Sequence, residues 1–167
     1  RRKKYYYIQA YEVNFFDNII WKLIAGLTYY LPLKKILNSP NLLPHKHDDF
    51  IGVVPAGVDL NVFYPKPSNR LLNGHTSIGI IGRKEKHKGT SEIISVLCSL
   101  ENKVGIIINI AIYLEEVDKE RLIAAGFQVN FFPITSDLEL ASFYRSNDIM
   151  IAAGLIEDGA FHYPCAE

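Results

Sequence analysis

Short apolar runs alternate with helix-like segments along the second half of this 167-residue chain. One run, Val104 to Ile112, is almost continuously Val and Ile, which is typical of a strand buried on both faces. Strands alternating with helices predict a parallel sheet covered on both sides. The predicted strands are residues 77–82, 104–112, 128–132 and 149–153, and the predicted helices are 90–100, 117–125 and 137–146.

Local signals within these segments support the prediction. In the helix predicted over 90–100, apolar residues recur at helical spacing, at Ile93, Ile94, Val96, Leu97 and Leu100. Ser136 followed by Glu139 fits a capping box at the start of the helix predicted over 137–146. Gly126 closes the second helix.

The first part of the chain predicts a smaller β-α-β arrangement. Aromatic strand formers fill residues 5–11, a helix is expected over 16–31, and a short strand over 35–39 stops at Pro40. A further strand over 51–54 ends at Pro55.

A change of composition separates the two parts. Residues 64–74 include Pro65, Pro67, Ser68, Asn69, Asn73 and Gly74, which are typical of a linker. We therefore expect one domain over residues 1–63, a linker over 64–75 and a second domain over 76–167.

Bulk properties exclude several classes of protein. Nearly half of the residues are apolar, as in a globular protein, and the net charge is zero, so no overall field attracts nucleic acid. Two cysteines make no disulfide framework, and the most apolar stretch, 19–33, is too short to span a bilayer. We therefore expect a cytoplasmic location. Trp21 and Lys22 in the helix expected over 16–31 fit peripheral contact with the inner face of a membrane, but packing in a core is the favoured explanation of that helix.

The strand over 77–82 runs into a loop that is suited to phosphate. Gly82 and Arg83 end the strand, and Lys88 and Gly89 precede the next helix. A helix N-terminus contributes roughly half a positive charge and unpaired N–H donors, and an arginine fork binds phosphate oxygens in pairs. Solvated surface charge is the alternative explanation for this loop.

A second loop follows the last predicted strand and emerges at the same edge of a parallel sheet. Gly159 and Ala160 allow the backbone to approach a ligand closely, and Glu167 can accept hydrogen bonds from the two hydroxyls of a ribose. His162 either donates to a phosphate or sugar hydroxyl or is a packing residue. The remaining candidates in this loop are Glu157, Asp158 and Phe161.

Three segments of the chain resemble retaining glycosyltransferases of the GT-B fold. Residues 54–65, Val-Pro-Ala-Gly-Val-Asp-Leu-Asn-Val-Phe-Tyr-Pro, are similar to the family's P-N-G-V-D-x-x-x-F-x-P at its domain junction. The loop from Gly82 to Gly89 is similar to G-R-x-x-x-x-K-G, and residues 138–167 resemble L-x-x-x-Y-x-x-A-D with the acidic, glycine-containing loop after it. Residues 7–12 resemble a late N-domain segment of rhamnosyltransferase-like members.

The resemblance implies an α/β fold of GT-B type, with Rossmann-like parallel sheets and flanking helices, incomplete at both ends. It implies that Arg83 and Lys88 hold the donor diphosphate as catalytic residues and that Glu167 is the second glutamate of the family's Glu-x7-Glu motif. The first glutamate of that motif falls on Gly159. Either Glu157 or Asp158 replaces it, or the backbone from Gly159 to His162 positions the sugar. The resemblance implies no metal and no cofactor.

The expected function is transfer of a hexose or deoxyhexose from a nucleoside-diphosphate sugar to a glycan or lipid-linked acceptor in surface polysaccharide synthesis. Two alternatives remain open at this point. One is a nucleotide-binding fragment or subunit without turnover, and the other is a sugar-nucleotide epimerase of the same fold.

Overall fold

A computed structural model of the chain describes residues 3–43, 49–65, 74–153 and 163–167. The described residues group into two compact units. The first contains the residues up to Gly57 together with Tyr163, and the second contains those from Val58 to residue 153 together with Pro164–Glu167. Most of the predicted linker, residues 66–73, lies outside the described residues, so its limits stay a prediction.

The first unit is built around a three-stranded parallel sheet of order β1-β2-β3. Tyr5 of the first strand lies opposite Lys34 of the second. The elements are β1 (Tyr5–Ile8), a 3₁₀ turn (Glu12–Phe15), α1 (Ile19–Thr28), β2 (Lys34–Leu37) and β3 (Phe50–Val53).

Helix α1 is shorter than the sequence predicts, and it exposes most of its apolar residues. The Asn18 side chain accepts a hydrogen bond from the Ile20 amide at 2.8 Å, so the helix begins after this cap and not at Phe16. Among the described residues, no helix is long and apolar enough to cross a membrane. The exposed apolar side chains of α1 are Ile19, Ile20, Trp21, Leu23, Ile24 and Leu27.

Tyr29 joins α1 to the sheet of the first unit. Its ring is fully buried with Ile8, Leu37 and Leu42, and its hydroxyl accepts a hydrogen bond from the Glu12 amide at 2.9 Å. Burial raises the pKa of Tyr29 to about 12. The small core of this unit therefore depends on an aromatic ring with a satisfied hydroxyl.

The second unit contains a four-stranded parallel sheet of order β6-β5-β4-β7. Together with the flanking helices, it confirms the predicted α/β class with parallel sheets. The elements are β4 (Thr76–Ile81), a 3₁₀ turn (Lys86–Lys88), α2 (Thr90–Cys98), β5 (Ile106–Ala111), α3 (Glu116–Ala124), β6 (Gln128–Phe132), α4 (Asp137–Ser146) and β7 (Ile149–Ile151). The short helix α5 spans Tyr163–Ala166, and its residues from Pro164 onward belong to this unit.

Strand β5 is shorter than the apolar run that predicts it. Gly105 before the strand and Ile112 after it both have positive φ, at +74° and +73°, which no strand residue adopts. The core of the unit joins isoleucines of β4 and β5 to apolar residues of the helices. Its buried members are Ile78, Ile80, Ile94, Leu97, Ile108, Ile110, Leu122 and Phe127.

The predicted capping box at the start of α4 is confirmed. Ser136 Oγ accepts from the Glu139 amide at 3.3 Å, and Glu139 Oε2 accepts in return from the Ser136 amide at 3.2 Å. Glu139 also accepts two hydrogen bonds from Thr135, and these are the main reason that the pKa of Glu139 is lowered. Local chemistry therefore fixes where α4 begins.

A chain of three asparagine amides connects the sheet to the end of α4. Asn130 Nδ2 donates to Asn109 Oδ1 at 2.9 Å, and Asn109 Nδ2 donates to Asn147 Oδ1 at 2.8 Å. Asn147 Nδ2 then donates to the Phe143 carbonyl at 2.8 Å. Because Asn109 is buried, losing it leaves two polar groups unsatisfied inside the unit.

We expect Asn109→Ala to lower the free energy of unfolding by about 1–3 kcal/mol, because Asn130 and Asn147 each lose a buried partner. Asn102→Ala is the matched control, since Asn102 is exposed and only caps the Val104 amide. Asn102→Ala should change the free energy of unfolding by no more than about 0.5 kcal/mol. Urea denaturation followed by circular dichroism measures both, and equal effects would contradict the role of the amide chain.

Candidate functional site

The end of β4 lies against the backbone that follows β5. Gly82 is buried, and its amide donates to the Ala111 carbonyl at 2.9 Å. A Cβ atom on Gly82 would lie 1.7 Å from the Tyr113 carbonyl oxygen. Only glycine fits here, so the first glycine of the loop is required by a close backbone approach.

Ile112 forms the turn that brings Tyr113 to this place. It is the one non-glycine residue with positive φ in the described ranges, and the Tyr113 amide donates across it to the Ala111 carbonyl at 2.9 Å. This is a three-residue turn that strains a β-branched residue, at a cost of about 1–3 kcal/mol. The Ile112 amide is bound to the Phe132 carbonyl at 3.0 Å, which fixes the turn against β6.

Thr90 ties the loop after β4 to the beginning of α2. Its hydroxyl accepts a hydrogen bond from the Arg83 amide at 2.9 Å and donates to the Arg83 carbonyl at 3.1 Å. Gly89 ends the 3₁₀ turn with φ of +71°, so the chain can enter α2 directly. The Arg83 backbone is therefore fixed at the N-terminus of a helix, and its side chain is exposed.

A cavity of about 500 Å³ opens beside Arg83, between the loops that follow β4 and β5. The lining carries both signs of charge, and two of its members, Asp118 and Arg121, pair with each other at 2.8 Å. Lys88 is not among the described residues that line it. The lining residues are Arg83, Lys84, Glu85, Lys86, Thr90, Ser91, Glu92, Tyr113, Glu115, Val117, Asp118 and Arg121.

Tyr144 of α4 binds Glu167, the residue that follows the last helix. Its hydroxyl donates to Glu167 Oε2 at 2.8 Å. Burial, followed by this hydrogen bond, raises the pKa of Tyr144, and the positive charge of Arg83 acts in the opposite direction. The charges of Arg83 and Glu167 therefore both act on the Tyr144 hydroxyl.

The segment that resembles the family's domain-junction motif packs on the same helix. Phe63 is buried against the Tyr144 ring, with 6.1 Å between the ring centres. Arg145 donates to the Val62 carbonyl at 3.1 Å and lies over the Tyr64 ring at 4.8 Å. Sequence reasoning did not single out Arg145, because the residue that it contacts is far away in the chain.

Five of the eleven candidate residues lie in the described part of the chain. Gly82, Arg83 and Gly89 form the strand-to-helix connection, and Glu167 lies at Tyr144. Lys88 is exposed at the end of the 3₁₀ turn. The other six lie outside the described residues: Glu157, Asp158, Gly159, Ala160, Phe161 and His162. The binding roles of all eleven stay predictions.

We expect Gly82→Ala to destabilise the chain by about 1–3 kcal/mol or more, because the added methyl group meets a backbone carbonyl that is held by a turn. Gly52→Ala is the control, since no atom lies within 4 Å of a Cβ built there. Urea denaturation compares the two variants. Equal stability of both would show that the backbone at Tyr113 moves freely.

Solved structures similar to this chain include a glycosyltransferase domain. The chain is similar to the C-terminal domain of a glycosyl transferase group 1 family protein (LpcC) from Francisella tularensis, at 26% identity and a TM-score of 0.46. The match covers 59% of this chain and 59% of that domain. No protein-family model and no curated protein matches the chain.

Proposed function

We propose that this chain is part of a GT-B glycosyltransferase whose second unit binds a nucleoside-diphosphate sugar. The observation that carries the proposal is the connection from β4 to α2, in which Thr90 holds the Arg83 backbone at a helix N-terminus. Unpaired helix amides and an exposed guanidinium are the donors that a diphosphate requires. The resemblance of the Gly82–Gly89 loop to the family motif supports the same assignment.

The strand order supports the location of this site. Strand β4 pairs with β5 on one side and with β7 on the other, so the direction of winding reverses between β4 and β7. Ligands of open parallel sheets bind outside the carboxyl ends of the strands at such a reversal. The loop from Gly82 to Gly89 begins at that point.

In the proposed reaction, the bond from the sugar to the diphosphate breaks and a bond to an acceptor hydroxyl oxygen forms with retention of configuration. The proton of that hydroxyl passes to the departing diphosphate. Arg83 and Lys88 stabilise the negative charge that develops on the departing nucleoside diphosphate. We propose a hexose or deoxyhexose as the sugar and a glycan or lipid-linked acceptor in surface polysaccharide synthesis. No metal ion is needed, since fixed cations and a helix N-terminus supply the positive charge.

The phosphate site is tested by binding of UDP, GDP and dTDP to the 167-residue chain. We expect at least one to raise the melting temperature and Arg83→Ala to weaken its binding about 10- to 100-fold, because charge-assisted hydrogen bonds to phosphate are lost. Lys88→Ala should weaken binding by less, since its ammonium is a single flexible charge. Isothermal titration calorimetry measures the affinities.

Lys119→Ala is the matched control for this test. Lys119 is a cation on α3 that pairs with Glu116, and removing it should leave nucleotide affinity unchanged. The proposal fails if none of the three nucleotides binds, or if Arg83→Ala binds as tightly as the unmodified chain. Product analysis with an acceptor then distinguishes a transferase from an epimerase and from a binding subunit.

We further propose that the first unit contacts the inner face of a membrane, where a lipid-linked acceptor would be found. Residues 1–57 carry eight Lys and Arg against four Asp and Glu, which suits an anionic surface. Tyr6 Oη lies 3.4 Å from Thr28 Oγ1, so the C-terminal end of α1 lies beside the start of β1, near Lys3 and Lys4. The exposed Leu27 at this end of α1 therefore lies on the same side of the unit as basic residues.

Sedimentation with lipid vesicles tests this contact. We expect binding to vesicles containing phosphatidylglycerol, weaker binding to pure phosphatidylcholine, and loss of binding in Leu23→Glu with Leu27→Glu. Leu138→Glu with Val104→Glu is the control, because it adds the same charge to exposed positions of the second unit. Equal binding by both double variants would refute the contact, as would a change of oligomeric state without any lipid binding.

A further inference from the structure

Among the residues that the structure describes, one hydrogen bond orients the carboxylate of Glu167. Tyr144 Oη donates to Glu167 Oε2 at 2.8 Å. A carboxylate offers about four acceptor positions, so one tyrosine leaves most of them available. A free glutamate side chain loses rotational freedom when it binds a ligand, and a contact already made reduces that loss.

Tyr144 is itself fixed by its surroundings. Its ring packs on the buried Phe63, and the next residue, Arg145, binds the Val62 carbonyl. Because the pKa of Tyr144 is raised, its hydroxyl keeps its proton at neutral pH and acts as the donor in the bond. The orientation of Glu167 is therefore set by groups that do not change their charge.

We propose that Tyr144 is a positioning residue that holds the Glu167 carboxylate for the two ribose hydroxyls of a bound nucleotide. The inference rests on the proposed function, in which Arg83 holds the diphosphate. In a nucleotide, the ribose is joined directly to the phosphates through its 5′ carbon. Tyr144 binds Glu167 directly, and its hydroxyl is also within the electrostatic influence of Arg83, which suits the recognition of two adjoining parts of one ligand.

The inference predicts a specific loss of ribose recognition. We expect Tyr144→Phe to weaken binding of UDP or GDP about tenfold, because the carboxylate is no longer oriented, while the ring keeps its packing on Phe63. Binding of the matching 2′,3′-dideoxynucleoside diphosphate should be unchanged, since it has no hydroxyl for Glu167. Isothermal titration calorimetry gives both affinities. The readout is the affinity for the ribose nucleotide divided by the affinity for the dideoxyribose nucleotide.

Three further variants complete the experiment. Glu167→Gln should reduce the same ratio, and the double variant should show less than the sum of the two single losses if the residues act together. Tyr7→Phe is the matched control, because its hydroxyl donates to the Val54 carbonyl in the first unit. It should leave the ratio unchanged.

The outcomes separate this inference from the proposed function. If the unmodified chain binds no nucleotide, the proposed function fails. If it binds with dependence on Arg83 and Tyr144→Phe leaves the ratio unchanged, only the positioning role is refuted. Equal weakening for ribose and dideoxyribose ligands would also refute it, because that result indicates a purely structural tyrosine.

Discussion

Parallel pairing of β4 with two strands that are distant in sequence is the constraint on which the second unit depends. β5 lies on one side of β4 and β7 on the other. Since parallel strands end at the same edge, the loops after β4, β5 and β7 all emerge there. The apolar isoleucines that stabilise this pairing are fully inside the unit, whereas the residues of the candidate site are in the loops.

At that edge of the sheet, the backbone conformation restricts which residues fit, as side-chain packing does in the core. The turn at Ile112 costs free energy, and it brings a carbonyl to a position that only Gly82 leaves open. Thr90 then closes the connection by binding both backbone groups of Arg83. In the proposed site, a charged side chain thus starts from a backbone that is held on two sides, which would reduce the entropy lost on binding an anion.

Much of this arrangement could be predicted because its causes are local. Apolar periodicity predicted the strands and helices of the second unit, and the Ser136–Glu139 spacing predicted the start of α4. Strand ends were less accurate, because a positive φ at Ile112 depends on tertiary contacts. The bond from Tyr144 to Glu167 and the contact of Arg145 with Val62 join residues 23 and 83 positions apart, and no local pattern contains that information.

The chain of asparagine amides also has a consequence for how this unit can be altered. Each amide donates in the same direction, from β6 through β5 to the end of α4, so a shift of one residue in any of the three elements breaks the sequence of donors. These hydrogen bonds therefore help to specify the position of the C-terminal end of α4 on the sheet. A chimaera that imports this helix into a related sheet must import the asparagines of both strands with it, or Tyr144 and Arg145 will be misaligned.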